Sequence, residues 1–295
     1  MQDLSKNEIN SEEKNMRRTG STVLFICAVL LTCFSAVALV PASPNLATVK
    51  PLVLYDDFNG PRIDPSKWGD WMASAGMLEA VRELSPSYQG EGTNGRLRLS
   101  QRAYSSTGDD NGEDVGWIGL SFAKNPALIT EVSFTVVANS AAVTECQSNP
   151  SVNSNAWAGF VGRFFNYGGQ QNENRDVEAW ISLIRDSTDA GAPLSVTAYY
   201  TSEDGTASDS RVLGFVSPGQ AAKLHLKWDQ PNHQFLFQLN SNPVVTMMYA
   251  IPDTFPPKNT IKAFWQGRGI PHCTTTPAGS AFMDVYIDNV YVNAN

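Results

Sequence analysis

Residues Lys223–Leu239 read KLHLKWDQPNHQFLFQL. Leu224, Leu226 and Trp228 fall on alternate positions, DQPNH intervenes, and Phe235, Phe237 and Leu239 resume the alternation. A period of two marks an extended strand with one buried face. Pro231 fixes its own φ and has no N–H to give a ladder, so it belongs in the turn. The stretch therefore predicts an antiparallel hairpin. Its six large apolar side chains, worth roughly 1.5–3 kcal/mol each when buried, place it in the core. His225 and Lys227 point the other way. No second histidine sits at metal spacing, so His225 reads as a solvated or sugar-facing residue.

Working outward, short alternating or β-branched runs bounded by Gly, Pro, Asn, Asp and Ser recur along the chain. They include GRLRLSQRAY (95–104), ALITEVSFTVVA (127–138), WAGFVGRFF (157–165), DVEAWISLI (176–184), LSVTAYY (194–200), RVLGFV (211–216), NPVVTMMYA (242–250), IKAFWQ (261–266) and DVYIDNVYVN (284–293). Only ASAGMLEAVREL (73–84) looks helical, and it lacks an apolar stripe. About eleven strands with frequent turns predict an all-β sandwich or barrel. No repeat or linker divides the chain after residue 50, so residues 52–295 read as a single domain.

The N-terminus reads differently. Residues 1–15 are polar and read as an extension ahead of a start at Met16. Arg17 and Arg18, an apolar run from Val23 to Phe34, and Ala36-Val37-Ala38 then form a signal peptide over 16–38, followed by a linker over 39–51. Thr22–Val40, uncharged for 19 residues, is the alternative of an uncleaved anchor, and Cys33 would be the lipidated residue of a lipoprotein. Each reading puts the domain outside the cytoplasm: secreted, periplasmic or cell-surface. Residues 1–38 hold four basic and four acidic residues, so their removal leaves the net charge at −8. An acidic chain without a Lys/Arg cluster is a poor partner for nucleic acid, and it would meet a membrane only through an uncleaved N-terminal segment. In an oxidising compartment, Cys146 and Cys273 predict one disulfide, against the alternative of two buried thiols.

LYDDFNGPRIDPSKWGDW (54–71), NGRLRLS (94–100), LKWDQPNHQFLFQL (226–239) and IDNVYVN (287–293) together resemble, in order, the concanavalin-A-like lectin/glucanase superfamily. The resemblance implies an antiparallel jelly-roll β-sandwich of concanavalin-A-like type, with first and last strands paired and a concave face able to hold a glycan. Family-16 glycoside hydrolases of this superfamily carry Glu-x-Asp-x-Glu on one strand, the outer two as nucleophile and acid/base. Here NRDVE matches at Asp176 and Glu178 but has Asn174 at the nucleophile's place. An amide can neither ionise nor form a glycosyl ester. Glu173 is one residue out of phase, so it faces away unless a bulge intervenes. Retaining hydrolysis, which needs two carboxyls about 5–5.5 Å apart, is therefore not the default.

Three readings of Asp176 and Glu178 follow: polar outward residues, acceptors for sugar hydroxyls beside Trp180, or a weak catalytic pair. Trp180 suits stacking on the apolar face of a pyranose, and Trp157, Phe165 and Tyr167 could line the same cleft, although each also fits a core. Trp117 and Trp265 are open. The loop FNYGGQQNENRD (165–176) is either a hydrogen-bonding rim or a turn. STGDDNGEDVG (106–116) fits no EF-hand spacing. The resemblance allows one cofactor, a structural calcium near Asp57 and Asp288, and both residues are equally turn-formers; no other metal site is expected. No nucleophile elbow flanks His225, His233 or His272. The sequence points to an exported, noncatalytic polysaccharide-binding domain. A glycoside hydrolase acting on a β-glucan-like polymer through Glu178, and a structural envelope or surface domain without a ligand, are the alternatives.

Overall fold

The computed structural model describes residues 51–295 apart from 74–76, 87–93, 109–111, 171–172, 190, 192 and 294–295. The extension, signal and linker expected before residue 51 lie outside the described residues. Among the described residues no helix is long and apolar enough to cross a membrane.

Among the described residues fifteen strands run in order: β1 (Val53–Asp56), β2 (Trp68–Ala73), β3 (Met77–Pro86), β4 (Gly95–Tyr104), β5 (Glu113–Phe122), β6 (Glu131–Thr144), β7 (Asn155–Asn166), β8 (Asp176–Asp186), β9 (Leu194–Ser202), β10 (Ser208–Val216), β11 (Ala221–Asp229), β12 (Gln234–Leu239), β13 (Val245–Met248), β14 (Lys262–Pro271) and β15 (Ser280–Val292). They form two antiparallel sheets. One is ordered β13-β12-β11-β6-β15-β4-β3 with β1 also on β15; the other is ordered β10-β9-β8-β7-β14-β5-β2. First and last strands pair, Val53 against Val292. This is the expected antiparallel jelly-roll β-sandwich.

Period two does the sorting. Along β8, Val177, Ala179, Ile181 and Leu183 are fully buried between the sheets, and the residues between them face outward. Phe134, Phe160, Phe235 and Phe264 fill the interior, with Phe134 and Phe264 edge-to-face at 4.8 Å. The hairpin forms in the expected register, Leu224 opposite Leu239 and Trp228 opposite Phe235. His225 is part-buried, 23% exposed, and its Nε2 lies 2.9 Å from Glu131 Oε1, an acceptor supplied by the neighbouring strand β6. Cys146 and Cys273 are bridged across 127 residues.

Two segments depart from expectation. Residues 77–84 of the helical-looking stretch 73–84 lie in β3, because all ten residues of that strand pair with β4 and no apolar stripe offers a helix anything to bury. Residues 113–122, which carry Gly116 and Gly119 and gave no strand signal, form β5, paired on both sides between β14 and the edge strand β2.

Candidate functional site

The outer face of the seven-stranded sheet is unusually aromatic. Of seven tryptophans, five lie on it: Trp71, Trp117, Trp157, Trp180 and Trp265, packed around Val161 and Ala263. Trp68 and Trp228 are core residues instead, their indole N–H groups donating to Asp56 Oδ2 at 2.6 Å and to the Tyr249 hydroxyl at 2.7 Å.

Strand register explains how so many indoles fit. Trp71 and Trp265 both stand opposite Gly119, and Trp117 and Trp157 both stand opposite Gly267. Each ring thus lies beside a position without a side chain. A Cβ on Gly267 would fall 2.4 Å from the Trp157 ring, so that glycine is where the indole leans. Trp265, 6% exposed, is the hub: its ring centroid is 5.1 Å from Trp180, 5.5 Å from Trp157 and 5.8 Å from Trp71. Tyr199 on β9 extends the row, 4.9 Å from Trp180. Such tilted and edge contacts are each worth about 0.5–1.5 kcal/mol beyond area burial. Trp117, Trp157 and Trp180 keep part of their surface open to solvent.

Two cavities open on this face. The first, about 320 Å³, is lined by Asn155, Trp157, Trp180, Ser182, Ile184, Asp186, Thr197 and Tyr199. The second, about 280 Å³, is lined by Arg163, Asp176, Glu178, Thr201, Ser202, Glu203 and Gly205. Trp180 and Glu178 are two apart on β8, so the cavities are neighbours along one strand.

A bulge in β7 shapes the second cavity. The register with β8 slips between Arg163 and Phe165, which turns both Phe164 and Phe165 inward and leaves Arg163 directly opposite Glu178. The guanidinium lies 3.8 Å from Glu178 Oε2 and 3.6 Å from Asp176 Oδ2, longer than hydrogen bonds. Glu178 accepts no hydrogen bond among the described residues. Burial pushes its carboxyl above the ordinary glutamate range, Arg163 pulls it back, and Glu203 and Asp176 push it further up.

Asp176 is different in kind. It is 2% exposed, and its oxygens accept the backbone N–H groups of Lys258 (2.7 Å) and Asn259 (2.9 Å) and the Asn166 side-chain amide (2.9 Å). Its carboxylate fastens the 258–259 segment to β8, which leaves it little capacity for a sugar hydroxyl. Behind β7, Lys262 is fully buried, with Nζ donating to the Arg163 carbonyl at 2.5 Å. Desolvation pulls its amine down to about 7, against the pull of Asp176.

Trp157, Trp180 and Glu178 do reach the cavities. Tyr167 lines neither; its hydroxyl binds Asp204 and, at 3.0 Å, Thr206. Asn174 precedes the strand, which begins at Asp176, and its Oδ1 accepts the Lys258 amine at 2.5 Å. Glu173 pairs with Arg175 at 3.3 Å in the turn, so it does not join Glu178. Sequence reasoning left Trp117 and Trp265 open and missed Trp71, Tyr199, Ser182, Arg163 and Glu203. The tryptophan–glycine alternation in WIG (117–119) and WQG (265–267) was the available signal. Asp57 and Asp288 lie near each other at the β1–β15 end, where burial raises the Asp288 carboxyl and Asp57 adds to it. Among the described residues no group of three His, Cys, Asp or Glu could hold a metal ion.

No protein-family model matches the chain, and no curated protein matches it. Among solved structures, LamAcat from Zobellia galactanivorans is similar over 83% of this chain and 98% of its own, at 11% identity and a TM-score of 0.38. A Bacillus licheniformis β-glucanase matches 79% of this chain and 96% of its own, at 12% identity and 0.36. Lectin II from Ulex europaeus matches 72% and 91%, at 10% identity and 0.31.

Proposed function

We propose that the outer face of the seven-stranded sheet binds a polysaccharide without cleaving it, in a protein exported from the cytoplasm. One observation carries this: Trp157, Trp180 and Tyr199 wall a cavity that opens from a five-tryptophan platform. A pyranose has apolar C–H faces and a polar rim, so aromatic walls with a few polar groups among them match it. Glu178, desolvated and short of donors, serves as an acceptor for a hydroxyl of the neighbouring sugar unit. The disulfide fits an oxidising compartment. Binding without cleavage is favoured because Asp176 is spent on backbone amides, Asn174 cannot act as a nucleophile, and Glu173 is tied to Arg175.

A second reading has one specific support. Glu203 and Glu178 line the same cavity, so the turn after β9 supplies a second carboxylate near Glu178. A glycosidase of that design would use Glu178 as acid, its proton held by the raised affinity. One experiment separates the readings: glycan-array binding run beside reducing-sugar release on the same polymers. Binding without release, abolished in Trp180→Ala, is the expected result. Release that disappears in both Glu178→Gln and Glu203→Gln would establish the hydrolase instead, and no binding to any glycan would end both.

A further inference from the structure

The first cavity is a built site rather than a stretch of flat platform. On its floor, Ser182 is 3% exposed, and its hydroxyl has no hydrogen-bond partner. A buried hydroxyl left unpaired costs about 1–3 kcal/mol, so a ligand atom that pairs with it recovers that cost. Register keeps a neighbouring side chain from crowding it. Ser182 stands between Gly159 on β7 and Thr197 on β9, and a Cβ on Gly159 would fall 2.8 Å from its Oγ. Ile184, two residues on, is opposite Trp157, whose indole leans away over Gly267. The result is a recess floored by Ser182 and Ile184 and walled by Trp157, Trp180 and Tyr199.

We infer that this recess takes the acetamido group of an N-acetylated amino sugar, which makes the ligand a polymer of such sugars; the inference rests on the glycan-binding reading above. A bare pyranose fits less well. Its rim hydroxyls would lose water against Trp157, Trp180 and Ile184, where no partner replaces it. An acetamido group presents a methyl to those walls and a carbonyl that accepts the Ser182 O–H. Its N–H needs an acceptor, and Asp186 supplies one beside Asn155, its cross-strand partner. One Asp186 oxygen already accepts the Thr188 N–H and hydroxyl at 2.9 and 2.7 Å, which holds the carboxylate in place. The sugar ring then lies over Trp180, and the next unit of the chain reaches Glu178.

The test is calorimetric titration of the full chain with three hexasaccharides of equal linkage geometry: β-1,4 N-acetylglucosamine, its de-N-acetylated form, and β-1,4 glucose. The N-acetylated chain is expected to bind at least tenfold tighter than either of the others. Ser182→Ala should weaken it roughly threefold to tenfold, the effect of one neutral hydrogen bond, and leave the glucose chain unchanged. Thr197→Phe, at a partly exposed position on the cavity wall, fills the recess without touching the core and should erase the preference while some platform binding survives. Equal binding of the glucose chain, tighter binding of the de-N-acetylated chain, or a preference unmoved by Ser182→Ala would each overturn the acetamido assignment and leave glycan binding standing. Binding of none of the three, with a blank glycan array, would remove both.

Discussion

Gly267→Ala adds one methyl group and is expected to damage the platform through Trp157. The new carbon would sit 2.4, 2.5 and 2.6 Å from Cε2, Nε1 and Cζ2 of that indole, well inside van der Waals contact. A strand residue cannot retreat, because Gly267 is laddered to β5 on one side and β7 on the other. The indole must therefore lift, which breaks its edge contact with Trp265 at 5.5 Å. Overpacking costs typically 1–3 kcal/mol and the lost aromatic pair about 0.5–1.5 kcal/mol, so a total near 2–3 kcal/mol is expected. For a domain of this size that is a drop in Tm of roughly 4–12 °C. Glycan affinity should fall with it, because the lifted ring intrudes on the recess beside Ser182. Trp157→Ala in the same chain supplies the check. If the clash is the cause, the double variant costs at least about 1 kcal/mol less than the two single changes added together. Additivity within about 0.3–0.5 kcal/mol, or a neutral Gly267→Ala, would refute the register argument.

Three further outcomes follow from the same geometry. Asp176→Asn should cost about 3 kcal/mol in urea unfolding, since an amide nitrogen would face one of the backbone N–H groups that the carboxylate now satisfies. Stability of the wild type should rise by roughly 3 kcal/mol between pH 6.5 and 9.5 relative to Lys262→Met, because the folded amine releases its proton near 7 while the unfolded one holds it to its ordinary value of 10.5. The sign is fixed by the unfolded chain binding the extra proton across that window, so the opposite slope would show that Lys262 is not desolvated. Replacing Cys146 and Cys273 by alanine should cost about 4–5 kcal/mol by denaturant titration, the chain-entropy value for a loop of this length, and reductant should then have no further effect.

Much of the fold was legible because strand periodicity is local. The 223–239 hairpin and β8 could be read from alternation alone, and four weak motifs in the right order pointed to the sandwich. β5 was not legible: Gly116 and Gly119 read as turn signals, yet Gly119 must lack a side chain because it stands between β2 and β14, where a Cβ would fall 2.2 Å from the Phe264 carbonyl oxygen. That requirement exists only once β2 and β14 are placed beside it. The site divides in the same way. Trp180 and Glu178 share a face by spacing, whereas Ser182 sat in the same run and drew no notice, since its missing partner appears only in three dimensions. Asp176 looked like an available carboxylate until the 258–259 backbone was seen to occupy it. Long-range pairing, which spacing cannot report, decided each of these.

The most direct measurement is the set of seven indole N–H resonances during titration with a bound glycan. Ligand on the outer face should shift Trp157 and Trp180, the two indoles that line the first cavity, and leave Trp68 and Trp228, already donating inside the core, where they were. Binding that moves none of the platform indoles, or that moves Trp68 and Trp228 instead, would contradict the assignment of this face as the binding surface.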